Sequence, residues 1–275
     1  MAPHFTHRPA TAADHEAWAR LFIELGVDEP PADLAQWLTS FAPRIRMLEE
    51  AGRAVGFVMT SRFESLGYVV SLVIAPEARR RGAGRALLQI VAERFRDAGC
   101  TEWALRVKTD NLPALRLYES LGMRAHHTST VLRLAWDQAL RLPREEGPFE
   151  ARPILPADDA ALEAAFDLLG GQLAALRSRS GRVQLQLVDP RGPEEARVGL
   201  VSFDPASINA TPFRVVRPAL APWLLDAMRA YASPGDPTLG LVAEDEALTR
   251  ALLAAGAVVR FETRFLRGPL PAAER

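Results

Sequence analysis

The sequence predicts an α+β protein in which one fold is written twice, each half a mostly antiparallel mixed sheet of about six strands flanked by helices. Three observations carry that expectation. Residues 68–123 read as strand, glycine-punctuated basic turn, helix, strand and helix. Arg8-Pro-Ala-Thr-Ala-Ala-Asp14 returns as Arg152-Pro-Ile-Leu-Pro-Ala-Asp158, an offset of 144. Later anchors slide consistently: Gly56-Phe-Val-Met answers Gly199-Leu-Val-Ser, Pro76 answers Pro218, and Gly122 answers Gly256 as the offset shrinks to 134. A duplication with shortened loops reads this way. It sets domains at 1–143 and 148–275, joined by the polar linker Leu142-Pro-Arg-Glu-Glu-Gly-Pro148.

The elements follow in order. After the loop Gly26-Val-Asp-Glu-Pro-Pro31, Leu34, Trp37, Leu38 and Phe41 fall at i, i+3, i+4 and i+7, the apolar stripe of a helix. Tyr68-Val-Val-Ser-Leu-Val-Ile-Ala75 is nearly all apolar, as a buried strand is. Pro76-Glu77-Ala78 and Arg79-Arg80-Arg81-Gly82-Ala83-Gly84-Arg85 then open a long helix that stops at Gly99. Glu102 to Lys108 is the next strand. Asn111 caps a short helix with Pro113 in its first turn and Gly122 as its stop. His126 and His127 follow on a strand, where neighbours point to opposite faces. In the second half, Leu225, Met228 and Ala232, and then Leu248, Leu252 and Ala255, keep helical spacing.

Composition bounds the function. The chain has 275 residues, 48% hydrophobic and 24% charged, which suits two globular domains. With 33 basic and 34 acidic residues the net charge is −1, so no nucleic-acid footprint is expected. No run of 18 apolar residues and no signal-like start occur, so the expectation is a cytoplasmic protein with no membrane partner. Cys100 is the one cysteine, which rules out an internal disulfide. The five histidines lack ligand spacing, and no metal is expected.

The turn at 79–85 points to an anion. The first N–H groups of a helix have no internal partner and together carry roughly half a positive charge. Gly82 and Gly84 let backbone approach a ligand closely, and Arg79, Arg80, Arg81 and Arg85 add charge, so a polyphosphate is the expected ligand. A dinucleotide fingerprint needs glycine at Leu87 and a P-loop needs Gly-Lys-Ser/Thr; neither is present. On the next helix, Asn111 and Tyr118 lie seven residues apart, nearly eclipsed and about 10 Å apart along one face.

Taken in order, Arg-x-x-Gly-x-Gly after an apolar strand and Asn-x-x-Ala-x-x-x-Tyr-x-x-x-Gly on the following helix resemble the GNAT superfamily of acetyl-CoA-dependent N-acetyltransferases. The resemblance is sharp over about residues 53–125 and agrees in element order from Phe5 to Trp136. It implies two tandem acyl-CoA N-acyltransferase folds. It further implies that the coenzyme A pyrophosphate sits on the amides of Arg81, Gly82, Ala83, Gly84 and Arg85, with the pantetheine arm along Leu72, Val73 and Ile74. The thioester then lies where this strand and Glu102–Lys108 part, Asn111 touches the cofactor arm, and Tyr118 stands near the sulfur.

Amine attack on a thioester builds an oxyanion and expels a thiolate. A backbone N–H near Val73 can polarise the carbonyl. A phenol near ~10 beside a thiol near ~8.5 can supply the departing proton, so Tyr118 is the expected general acid. The amine needs a base. Glu64 is taken for it, with Tyr68, Ser71 through a water, and His126 left open, since no spacing selects among them.

The second half keeps the pattern and loses these groups. After Val215-Val216-Arg217-Pro218 comes Ala-Leu-Ala-Pro-Trp-Leu-Leu without glycine, Asp245 stands where Asn111 stands, and Leu252 replaces Tyr118. The expectation is a degenerate, non-catalytic copy that packs on the first as an internal pseudo-dimer partner or walls its acceptor pocket, with 203–213 as a lid; a homodimer is equally open. The acceptor is expected to be a small primary amine, with a protein N-terminus or lysine, or a non-enzymatic acyl-CoA-binding module, as alternatives. Asp28, Glu29, Glu49 and Glu50 are the carboxylates available to attract it.

Overall fold

A computed structural model describes residues 4–27, 30–179, 181–192, 196–205, 209–232 and 238–272. The first repeat runs β1 (Phe5–Pro9), α1 (His15–Phe22), α2 (Leu34–Gln36), β2 (Ile45–Glu50), β3 (Arg53–Phe63), β4 (Leu66–Ile74), α3 (Ala83–Asp97), β5 (Glu102–Lys108), α4 (Leu112–Glu119) and β6 (Arg124–Ala135). The second runs α5 (Trp136–Ala139), β7 (Glu150–Pro153), α6 (Asp159–Ala165), α7 (Gln172–Arg177), β8 (Val183–Asp189), β9 (Ala196–Asp204), β10 (Asn209–Val215), α8 (Ala221–Arg229), β11 (Thr238–Ala243), α9 (Glu246–Ala255) and β12 (Val258–Pro269).

The chain forms two compact units, Met1–His126 with Phe265–Arg275, and His127–Arg264. In the first, strands lie in the order β1-β2-β3-β4-β5 with β12 beside β5. In the second the order is β7-β8-β9-β10-β11 with β6 beside β11. Pairing is antiparallel for β1–β2, β2–β3, β3–β4, β7–β8, β8–β9, β9–β10 and β6–β11, and parallel for β4–β5 and β10–β11. Each unit therefore takes its sixth strand from the other repeat. Leu266 of β12 is packed in the core around Trp18, Trp37 and Trp103, while Leu132 and Leu134 of β6 are packed with Leu239, Leu241 and Phe213. The linker foreseen at 142–148 consequently lies inside the second unit, where Leu142 and the following Phe149 are buried.

Helices form where the sequence caps them. Asn111 Oδ1 accepts from Ala114 N at 3.2 Å to start α4, and Gly122 at φ +87° stops it. Asp245 Oδ1 accepts from Leu248 N at 2.7 Å to start α9, and Gly256 at φ +109° stops it. The stripe expected at Leu34–Phe41 is a single helical turn that widens into a π-helical stretch over Trp37–Phe41, with Trp37 fully buried against Trp18.

The duplication is visible in steric detail. A Cβ on Gly56 would lie 2.6 Å from Val73 O, and one on Gly199 would lie 2.9 Å from Arg214 O, so both glycines serve strand approach rather than any ligand. Asp14 accepts from Thr11 N at 2.7 Å and Asp158 from Leu155 N at 3.2 Å, opening equivalent helices. Arg44 bonds Ser61 Oγ at 2.5 Å and Arg182 bonds Ser202 Oγ at 2.8 Å, one guanidinium pinning each hairpin from within. Burial drives the Arg182 guanidinium down to about 10.

Candidate active site

The site is built where β4 and β5 part. Their register runs from Leu66↔Glu102 to Val69↔Leu105, and β4 continues to Ile74 and β5 to Lys108 past the last pair. On its other side β4 carries a bulge at Val70, between the pairs Val69↔Thr60 and Ser71↔Met59. A bulge bends its strand and increases the twist, which opens the gap. Beyond it, Ala75 N bonds Val55 O on β3 at 2.8 Å, while Ile74 O turns the other way to accept from Arg79 Nε at 2.8 Å. Alternation sends the peptide groups of Val73 toward β3 and those of Leu72 and Ile74 toward the gap. The backbone donor looked for near Val73 belongs instead to its two neighbours.

Beyond β4, one helical turn, Pro76–Ala78, leads into Arg79–Gly82 and then α3. Arg80 at φ +62° and Gly82 at φ +88° are both left-handed, a conformation that turns successive N–H groups to one side. For arginine that conformation is strained. No side chain caps α3, and a Cβ on Gly82 would meet nothing within 4 Å, so space lies open before the first-turn amides. Gly84 serves packing as well, since a Cβ there would stand 3.1 Å from Leu117 Cδ2 of α4. Ala83 is buried.

The four arginines divide. Arg79 is bound to Glu24 at 2.5 Å, and Arg81 grips Glu50 through two contacts of 2.5 and 2.9 Å. Arg80 makes no ion pair among the described residues, and Arg85 donates to Ser120 Oγ at 2.7 Å. Glu49 is bound to Arg8 at 2.7 Å. The carboxylates of Glu49 and Glu50 are thus already paired, and Asp28 and Glu29 lie outside the described residues, as do 206–208 of the expected lid.

Tyr118 is 6% exposed and belongs to the core of the first unit. Burial pushes its phenol up to about 12. Its hydroxyl has no hydrogen-bond partner among the described residues, yet it is not among the fully buried unpartnered atoms, so the oxygen keeps an outlet. Asn111 is exposed at the start of the same helix, its oxygen spent on the cap and its amide nitrogen left over.

Glu64 is not brought to the gap. It is exposed at φ +48° in the two-residue turn joining β3 and β4, six residues and about 20 Å along the strand from the bulge. Tyr68, paired to Ala104, and Ser71, just beyond the bulge, border the gap and are half-buried. His126 is exposed, edge-on to Phe265 at 6.1 Å.

Lys108 escaped the sequence reading. At the end of β5 its Nζ donates to Leu25 O at 3.1 Å and Gly26 O at 2.8 Å, pinning the connection after α1 beside the gap. Nothing local in the sequence marks a contact between residues 82 positions apart.

The second unit holds the same framework without these features. Helical turn Pro218–Leu220 runs directly into α8, so the residues matching Arg79–Gly82 are missing. Pro222 occupies the first turn, and Leu220 and Ala221 are fully buried. Glu145 covers that start, binding Arg217 at 2.8 Å and accepting from Trp223 Nε1 at 3.0 Å. Arg214 on β10 pairs with Glu244 just past β11 at 2.5 Å, and Leu252 is buried at the position of Tyr118. Among the described residues no helix is long and apolar enough to cross a membrane, and no three metal-ligating side chains cluster.

Comparison with known proteins agrees with this geometry. The model of the acetyltransferase (GNAT) family matches residues 12–123. An aminoglycoside N(6')-acetyltransferase type 1 of Stenotrophomonas maltophilia is 31% identical over 129 residues, 42% of this chain and 84% of that protein. A peptidyl-lysine N-acetyltransferase of Escherichia coli is 33% identical over 97 residues, 34% of this chain and 56% of that protein. A tandem GNAT protein from the clavulanic acid biosynthesis pathway superposes with a TM-score of 0.64 at 21% identity, covering 98% of this chain and all of that one, and so shares the fold. A parted strand pair ahead of a glycine-opened helix, and a relative matched over most of its length, lead to one conclusion: the chain belongs to the acetyltransferase (GNAT) family, with its fold laid down in tandem.

Proposed function

We propose that the first unit transfers the acetyl group of acetyl-CoA to a primary amine of a small molecule, and that the second unit does not catalyse. The observation that carries this reading is the opening of β4 from β5 beyond Val69 directly before the uncapped start of α3. The amides of Gly82 to Arg85 bind pyrophosphate, with Arg80 adding charge. Leu72 and Ile74 offer peptide groups to the pantetheine arm, and Asn111 adds its amide. When bound, acetyl-CoA supplies an activated acyl group and a thiol leaving group. Tyr118 stays protonated at working pH and donates a hydrogen bond to the departing sulfur, stabilising the thiolate as it forms, and the thiolate takes its proton from water as it is released. Tyr68 and Ser71 border the amine's approach and take the place first given to Glu64.

A small acceptor is favoured by the aminoglycoside-acting relative, matched over more of its length than the lysine-acting one. Protein acylation is the second reading, motivated by that lysine-acting relative. A calorimetric titration with acetyl-CoA tests the core of the proposal. One site per chain is expected, lost in a Gly82→Asp/Gly84→Asp variant. Two sites would restore function to the second unit, and absence of binding would remove the acetyltransferase reading. A thiol-release screen of small amines against peptides separates the two acceptor classes.

A further inference from the structure

The two strands that part at the candidate site carry charge of one sign. Past the last pair, Val69↔Leu105, β4 contributes Val70, Ser71, Leu72, Val73 and Ile74, and β5 contributes Arg106, Val107 and Lys108. The charged side chains of these two lips are therefore Arg106 and Lys108, both cations. Of the carboxylates close by, Glu24 is bound to Arg79 and Glu102 to Arg267. A cleft lined by one sign of charge concentrates ligands of the other, so these lips draw an anion.

Alternation places the two cations. Trp103, Leu105 and Val107 are buried in the core of the first unit, so Glu102, Ala104, Arg106 and Lys108 share the opposite face of β5. Helix α3 covers the core face, because a Cβ on Gly67, which is paired to Trp103, would stand 2.3 Å from the ring of Phe95. On the face of Arg106 lies Tyr68, paired to Ala104. Lys108 Nζ holds Leu25 O and Gly26 O on that face at 3.1 and 2.8 Å, and both of these acceptors are uncharged.

Arg106 stands at the fork itself. It is the first residue of β5 past the last pair, level with the bulge at Val70 on β4. Its Cζ lies 5.2 Å from the centroid of the Phe265 ring, and Phe265 is buried and edge-on to His126. Stacking holds a guanidinium by its face and points its N–H fork outward in the plane, the geometry that takes a carboxylate through two parallel bonds. Arg106 is half-buried, where such a pair is stronger than on open surface.

We propose that the acceptor is an α-amino acid, its carboxylate bound by Arg106 while its amine faces the thioester. The proposal rests on the acetyl-CoA reading above and narrows its small amine to one that carries a carboxylate. Acetyl-CoA held at the start of α3 enters the gap from the α3 side, and the amine meets the thioester from the face of Arg106. One carbon joins the nitrogen of an α-amino acid to its carboxylate, so a guanidinium at the fork holds the anion while the nitrogen stands where the strands part. Phe265 acts through Arg106 and is a positioning residue. In the transfer the free amine nitrogen bonds the acetyl carbon and the carbon–sulfur bond breaks. The nitrogen gives a proton to water and the thiolate takes one from it, leaving an N-acetylamino acid and coenzyme A.

The test is thiol release from acetyl-CoA by the full chain, with the common L-amino acids each set beside its amide and its decarboxylated amine, and with kanamycin as a polycation. The best acid is expected to exceed its amide in kcat/KM by at least about tenfold, the scale of one charge-assisted hydrogen bond. In Arg106→Gln that preference should vanish, chiefly through a higher KM for the acid, while acetyl-CoA affinity by calorimetry stays that of the natural chain and shows the variant folded. Arg106→Lys, which keeps the charge without the fork, should restore part of the preference. Phe265→Leu should raise KM for the acid about threefold with kcat held. Faster transfer to amides, simple amines or kanamycin than to any amino acid, or an acid preference that survives Arg106→Gln, overturns the proposal and leaves acetyl transfer standing. Acetyl-CoA binding without turnover of any small amine overturns it in favour of a protein acceptor or a binding role. Failure of the natural chain to bind acetyl-CoA overturns the acetyltransferase reading itself.

Discussion

Single residues here do two kinds of work that a sequence does not separate. Arg80 and Gly82 share the left-handed conformation, but only glycine adopts it without strain. Arg80→Gly should stabilise the protein by about 1 kcal/mol, read by urea unfolding, while acetyl-CoA affinity falls with the lost charge. Tyr118→Phe should leave unfolding free energy within about 0.5 kcal/mol, because its hydroxyl has no partner to lose among the described residues, and should slow turnover about 10²-fold at unchanged cofactor affinity. A phenol held up to about 12 also implies no alkaline loss of activity from Tyr118 below pH 10, which a pH–rate profile would show. Asp14 works only for the fold. Arg8 holds its carboxyl down to about 2, below its ordinary 3.8, so the stabilisation is present above pH 4 and disappears as pH falls toward 2. Asp14→Asn should therefore cost about 1–2 kcal/mol at neutral pH, with the difference from the natural chain closing over that acid window.

Among elements, β4 joins the packing of the first unit to its chemistry. Its bulge at Val70, its last pair with β5 at Val69 and its close approach to Gly56 all lie within a few residues of the gap. Gly56→Ala would put a Cβ 2.6 Å from a backbone oxygen, where no flexible side chain can give way. It should destabilise by about 1–3 kcal/mol and weaken acetyl-CoA binding. Gly199→Ala makes the matching clash in the second unit and should cost similar stability with affinity intact. Equal effects of the two on affinity would mean that both units bind.

At the scale of the whole molecule, each unit depends on a strand from the other repeat. Leu266, fully buried with Trp18 and Trp103, comes from the end of the chain. A fragment 1–143 would lack it and would expose the apolar part of β6 that belongs to the second core. Such a fragment should show no cooperative melting by circular dichroism, whereas the intact chain should. A fragment that melts sharply and binds acetyl-CoA like the full chain would show that the exchange carries no stability.

The sequence by itself determined the fold class, the duplication, the cap Asn111, the glycine stops and the glycine-punctuated turn before α3, because each is set by local periodicity or by backbone conformation within a few residues. It also marked the loss of glycines and of the phenol in the second repeat. Only the tertiary structure decided which strands complete which sheet, since Leu132 and Leu266 read as ordinary strand residues wherever they pair. It alone set Glu64 far from the gap, tied Arg79 and Arg81 to carboxylates, turned the Val73 peptide toward β3 and brought Pro271 to α3. These contacts join residues up to 175 positions apart, and pairing at that range depends on packing and on the direction of peptide groups, which no local pattern records.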